Sequence, residues 1–136
     1  MILTYGELRS KFSGVTVKYL DREYQCFSDS FLKKVIAEYD DRCKWRPRNR
    51  SWFARFKKDM RYWSRKNDCD NHAFRFFGTA RDEHCWSDHR TEGIAVGVVF
   101  VPGHCLNVVI MNDGKIRYFD QGLPVGEPKE IRWMIF

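Results

Sequence analysis

The 136-residue sequence predicts an α+β fold, with a helical N-terminal half packed on a small antiparallel sheet. Up to about residue 82 the apolar residues recur at helical spacing. From Ile94 onward they come in β-branched runs punctuated by Pro-Gly and Asn-Asp-Gly. Helices followed by hairpin strands is the order of an α+β fold, not of alternating βαβ units. Hydrophobic residues make up 43% of the chain and aromatics 16%, enough for one core and too much for a disordered chain. A single domain over 1–136 is expected, helical over about 1–82 and sheet-forming over about 94–136.

The first helix is predicted over 29–40. Ser28 or Asp29 can cap it, and Phe31, Leu32, Val35, Ile36 and Tyr39 form one apolar face. Pro47 and Asn49 mark a loop, after which Ser51 can cap a second helix over roughly 52–65. A third helix starts near Asp68 and runs to about Arg81, with Cys69, Ala73, Phe76, Phe77 and Ala80 on one face. Residues 82–93 have no apolar period and read as a loop. Strands follow over Ile94–Val101, His104–Met111 and Lys115–Asp120, and Ile131–Phe136 can form a last one. No repeat or low-complexity segment interrupts this layout.

Net charge is +6, unevenly spread. Residues 41–66 hold eleven basic side chains against two acidic ones, interleaved with Trp45, Trp52, Phe53, Phe56, Tyr62 and Trp63. Such a segment suits phosphates and bases. Yet Trp52, Phe56, Met60 and Trp63 recur at spacings of four, four and three, the stripe of a helix with its aromatics turned inward and its charges solvated. Arg46, Arg48, Arg50 and Trp52 are the candidate contacts for an acidic substrate or partner. Without a zinc-finger or RNA-recognition signature, nucleic acid is not the favoured ligand. A non-enzymatic module holding nucleic acid or an acidic protein is the alternative reading.

No apolar run approaches a transmembrane length, and the first residues lack the layout of a signal peptide. Five cysteines without paired spacing suit free thiols in a reducing, cytoplasmic compartment. Oligomeric state is not legible.

Three stretches carry the candidate chemistry: Asn67-Asp68-Cys69-Asp70-Asn71-His72-Ala73, Gly103-His104-Cys105-Leu106-Asn107-Val108, and Tyr118-Phe119-Asp120-Gln121-Gly122. A cysteine nucleophile acts as the thiolate, and the first turn of a helix favours an anion at Cys69. Asp68 and Asp70 oppose that charge, so a cationic partner is needed, and His104 at a strand start after Pro-Gly fits the role. A type I turn with Gly114 in the left-handed region, followed by a bulge, pairs Leu106 with Asp120 and makes His104 the diagonal neighbour of Asp120. A two-residue Asp113-Gly114 turn would put Asp120 on the other face. The triad therefore requires the longer turn. The backbone N–H of Cys69 would stabilise an oxyanion, with Gln25 or Asn67 supplying a side-chain amide.

Cys69, His72, His84, Cys85, His89, His104 and Cys105 offer a competing zinc reading, but no standard ligand spacing is present. No cofactor is required, and the His-x-Glu and Pro-Cys-x-x-Cys signature of nucleobase deaminases is missing. His84, Cys85 and His89 then read as polar loop residues near the site mouth.

These three stretches resemble the transglutaminase-like cysteine proteinases of bacteria, and are similar also to the papain-like protease domain attached to certain fungal agglutinins. The resemblance covers roughly residues 67–122. It implies a papain-like architecture with the site in the cleft between helices and sheet. Cys69 would be the nucleophile, His104 the general base and Asp120 its orienting partner. The implied activity is a cysteine hydrolase acting on a protein or peptide amide through a thioester, with an acidic target favoured by the basic segment. The same triad would also serve acyl transfer to an amine or deamidation of a glutamine.

Overall fold

A computed structural model describes residues 1–45, 69–88 and 92–136. The expected helix over 52–65 and the candidate residues Arg46, Arg48, Arg50, Trp52 and Asn67 lie outside them, as does His89. The chain opens with β1 (Ile2–Thr4), α1 (Tyr5–Lys11), β2 (Thr16–Lys18) and β3 (Glu23–Gln25). Two long helices follow, α2 (Asp29–Trp45) and α3 (Cys69–Asp88). After them come β4 (Gly93–Ile94), β5 (Val96–Val101), β6 (His104–Ile110), β7 (Ile116–Asp120), β8 (Leu123–Val125) and β9 (Trp133–Ile135). The class is α+β.

The sheet is more mixed than the sequence suggests. Six strands run in the order β2-β9-β5-β6-β7-β8, and β1-β3-β4 form a separate three-stranded sheet. β5, β6, β7 and β8 are an antiparallel meander, but β2 pairs in parallel with β9, and β3 with β4. Strands from the N-terminal half thus complete both sheets, and the expected division into helical and sheet halves does not hold. Strand alternation splits the core into two layers. Cys105 and Val109 of β6 and Met111 just after it face α2 and α3, together with Phe76, Phe119 and Val98. Leu106, Val108 and Ile110 face the other way, onto Leu8 and Phe12 near α1 and onto Phe136.

Both long helices outrun their apolar stripes. Ser28 caps α2, its Oγ accepting from the Phe31 N–H at 3.1 Å. The last turn of α2 is tied by Arg42, which bonds Glu38 on its own helix and Asp82 on α3 at 2.9 and 2.8 Å. Residues 82–88 are helical, not a loop, because charge replaces apolar period as their anchor. Asp82 holds Arg42, Glu83 meets Lys34 at 2.6 Å, and the buried His84 ring lies 2.9 Å by Nε2 from the Glu92 carbonyl. No described helix is long and apolar enough to cross a membrane.

Gly93 marks where the 19–23 loop closes onto α3. A Cβ there would lie 2.4 Å from Asp21 Oδ2, the oxygen that bonds Arg81 Nη1 at 2.8 Å. Gly93→Ala should push Asp21 off Arg81, cost about 1–2 kcal/mol and lower the melting temperature by roughly 5 °C. An Asp21→Ala background should remove most of that penalty in thermal melts, since the clash is with this one side chain.

Candidate functional site

The β6–β7 hairpin sets the geometry. Gly114 N–H donates to the Met111 carbonyl at 2.9 Å, Gly114 has φ +81°, and Met111 N–H donates to the Lys115 carbonyl at 2.9 Å. This is the type I turn with a left-handed glycine and bulge that the Asn112-Asp113-Gly114 motif predicts. The register follows, with Asn107 opposite Phe119 and Val108 opposite Tyr118. It brings His104 and Asp120 together on one face, His104 Nε2 lying 2.9 Å from Asp120 Oδ2. Each side chain is about one-third exposed, at 35% and 34%. Because Asp120 takes Nε2, Nδ1 is the ring nitrogen that remains for another partner. Asp120 Oδ1 is buried and has no hydrogen-bond partner among the described residues.

Cys69 is the first residue of α3. The helix start is fixed against β6 by Asn107, which is 1% exposed and donates through Nδ2 to the carbonyls of Ala73 at 2.9 Å and Gly97 at 3.2 Å. Farther along, Phe76 stacks on Phe119, and His84 approaches Phe31. Phe31 in turn touches Phe27, whose N–H donates to the Ile110 carbonyl. α3 therefore runs in the direction of β6, and its first residue comes level with the strand start that carries His104. Alternation gives Cys105 and Asn107 to the helix-covered face and puts His104 in phase with Leu106. His104 and Asp120 thus lie on the sheet face opposite the one that α3 covers.

The turn after Asp120 packs on α2. Gln121 and Gly122 have φ +51° and +80°, the two left-handed residues of a tight hairpin loop that pairs Asp120 with Leu123. A Cβ on Gly122 would lie 3.0 Å from Cδ1 and Cε1 of Tyr39, so the turn backbone rests on that ring. The Tyr39 hydroxyl is 2.6 Å from His72 Nδ1 in the first turn of α3. Burial is the main reason its hydroxyl is held well above the usual tyrosine range, with the neighbouring Cys43 adding to the effect.

Other expected site residues do not gather here. Gln25 is at the far end of the sheet: its carbonyl accepts from Ala95 N–H, and the Ala95 carbonyl accepts from Ile110 N–H. Ile110 is six residues along β6 from His104, on the order of 20 Å at strand rise. The Gln25 amide instead donates to the Met1 and Cys26 carbonyls. It does not supply an oxyanion donor. His84 is buried at the end of α3 remote from His104 and is not at a site mouth. Cys85 is exposed on that helix, and Cys105 is buried in the core. Among the described residues no three His, Cys, Asp or Glu side chains converge as a metal site. Tyr39 shows in the sequence as a position on the apolar face of a helix. Its phase was legible there, but its hydroxyl contact spans 33 residues and was not.

No family model and no curated protein matches the chain. Among solved structures it is similar to the protein of the "PSL1a-E64 complex", with a TM-score of 0.65 and 11% identity, covering 99% of this chain and 50% of that one. The two share a fold, and this chain spans half the length of that neighbour.

Proposed function

We propose that the chain is a cysteine hydrolase of papain-like architecture that cleaves a peptide or amide bond with Cys69, His104 and Asp120. The observation that carries this reading is the 2.9 Å bond between His104 Nε2 and Asp120 Oδ2, which leaves Nδ1 for a thiol. Asp120 holds the imidazole in the tautomer whose Nδ1 can take the thiol proton. The Cys69 sulfur attacks the carbonyl carbon, and the C–N bond breaks as His104 gives its proton to the leaving amine. Water, deprotonated by His104, then attacks the thioester, releasing the acid and returning the thiol proton. The Cys69 N–H in the first turn of α3 is the oxyanion donor available to this scheme. A protein or peptide is the substrate, with acidic residues favoured by the basic segment 41–66.

The test is iodoacetamide labelling of the folded protein from pH 5 to 9, with each cysteine followed by mass spectrometry. Cys69 should react fastest at pH 6, while burial pushes the Cys26 thiol up and keeps it slow. E64, the compound named with the structural neighbour, serves as a second probe for an adduct on Cys69. A Cys69 no faster than Cys43 at pH 6 would overturn the reading. Asp120→Asn keeps a neutral hydrogen bond to Nε2 but loses the charge. It should slow Cys69 labelling at pH 6 by about tenfold, since charge-assisted bonds exceed neutral ones by about 1–1.5 kcal/mol. Asp120→Ala should slow it further.

A further inference from the structure

Building on the hydrolase reading, we infer that Tyr39 is a positioning residue for the reaction: it ties the start of α3, where Cys69 lies, to the turn that carries Asp120. Tyr39 is 2% exposed on α2 and touches both elements at once. Its hydroxyl lies 2.6 Å from Nδ1 of His72, three residues beyond Cys69. Its ring supports the backbone of Gly122, two residues beyond Asp120, closely enough that a Cβ there would sit at 3.0 Å. The same ring meets Phe76 of α3 edge-on at 5.5 Å, and Phe76 stacks on Phe119, the residue before Asp120. One side chain therefore spans the helix start, the end of β7 and its turn.

The chemistry makes that link consequential. Cys69 and His104 come from different elements, α3 and β6, so on the hydrolase reading a small rotation of the α3 start would change how closely the two groups approach. An ion pair decays with distance. The hydrogen bond between the buried Tyr39 hydroxyl and Nδ1 holds His72 and the first helical turn in place. The groups that face the hydroxyl are His72 and Arg75 from α3, with Cys43 and Asp40 on its own helix. Arg75 Nη1 is 3.6 Å from Cys43 Sγ, so the polar contacts continue across the two helices.

The experiment compares Cys69 alkylation rates, pH 5–9, in wild type, Tyr39→Phe, His72→Leu, His72→Asn and His104→Ala. Tyr39→Phe keeps the ring under Gly122 and removes only the hydroxyl. It should melt within a few degrees of wild type, slow Cys69 labelling at pH 6 by about three- to tenfold, and move the half-maximal pH upward, the range set by one hydrogen bond. His72→Leu should match it, the double variant should be no slower than either single one, and His72→Asn should recover most of the loss. If His104→Ala slows labelling but Tyr39→Phe leaves rate and pH profile unchanged, the positioning role is overturned while the hydrolase reading stands. If neither slows it, both fall. Should Tyr39→Phe prove unstable, His72→Leu against His72→Asn decides alone: equal rates overturn the role.

Discussion

His104→Ala is expected to slow alkylation of Cys69 at pH 6 by about a hundredfold, because a thiol of ordinary pKa near 8.5 is only about 0.3% ionised there. A wild-type thiolate held by the imidazolium should react at a rate nearly flat across neutral pH, and the rate should fall once acid protonates the sulfur. Without His104, the rate should climb about tenfold per pH unit until the ordinary thiol range is reached. The two curves therefore differ most at low pH and converge near pH 9. His104 is one-third exposed, so its loss should leave the melting temperature within about 2 °C of wild type. A hundredfold loss of reactivity in a protein that still melts normally separates chemistry from folding. Equal pH profiles for the two proteins would mean that no ion pair exists.

Gly97→Ala should have the largest effect on stability. Gly97 is fully inside the sheet, on β5 between β6 and β9. A Cβ there would meet the Ile135 carbonyl at 2.8 Å, Val108 Cγ1 at 2.9 Å and Phe136 Cε2 at 3.1 Å. The first of these is backbone and cannot rotate away. Relief would require moving Ile135 and Phe136, which are held from several sides. Phe136 N–H donates to the Lys18 carbonyl, and its own carbonyl accepts from Leu20 N–H and from the Tyr24 hydroxyl. The expected cost is about 2–4 kcal/mol, which is roughly a 10 °C fall in melting temperature. Circular dichroism melts would check it, and a fall under 2 °C would mean that β9 shifts freely. Because Gly97 also offers its carbonyl to Asn107, the variant should loosen the α3 start and slow Cys69 labelling.

The hairpin was the most legible part of the chain, because Asn112-Asp113-Gly114 fixes a turn type, the turn fixes the register, and the register puts Asp120 beside His104. Local chemistry was enough there. The helix ends were not legible, since Glu83, Asp82 and His84 are held by Lys34, Arg42 and Glu92, and periodicity is blind to such partners. The N-terminal strands have three residues each, too few for alternation to register. One signal there could have been read: Thr4-Tyr5-Gly6-Glu7 is a capping box, with Thr4 N–H donating to Glu7 Oε2 at 2.8 Å and Glu7 N–H to Thr4 Oγ1 at 3.3 Å. Gln25 failed as an oxyanion donor because residue type carries no information about which end of a sheet it occupies.

The hairpin beyond Asp120 also governs how neighbouring chains can approach. β8 is the outer strand of the large sheet, and Leu123 and Val125 leave it 69% and 41% exposed, an apolar rim that would invite another extended chain. Leu123 pairs back to Asp120 across the two-residue loop, so the next residue turns its backbone outward. That residue is Pro124, which has no hydrogen to offer. Strand-by-strand growth from this border is blocked at its centre, and the apolar rim is kept from becoming a template for aggregation.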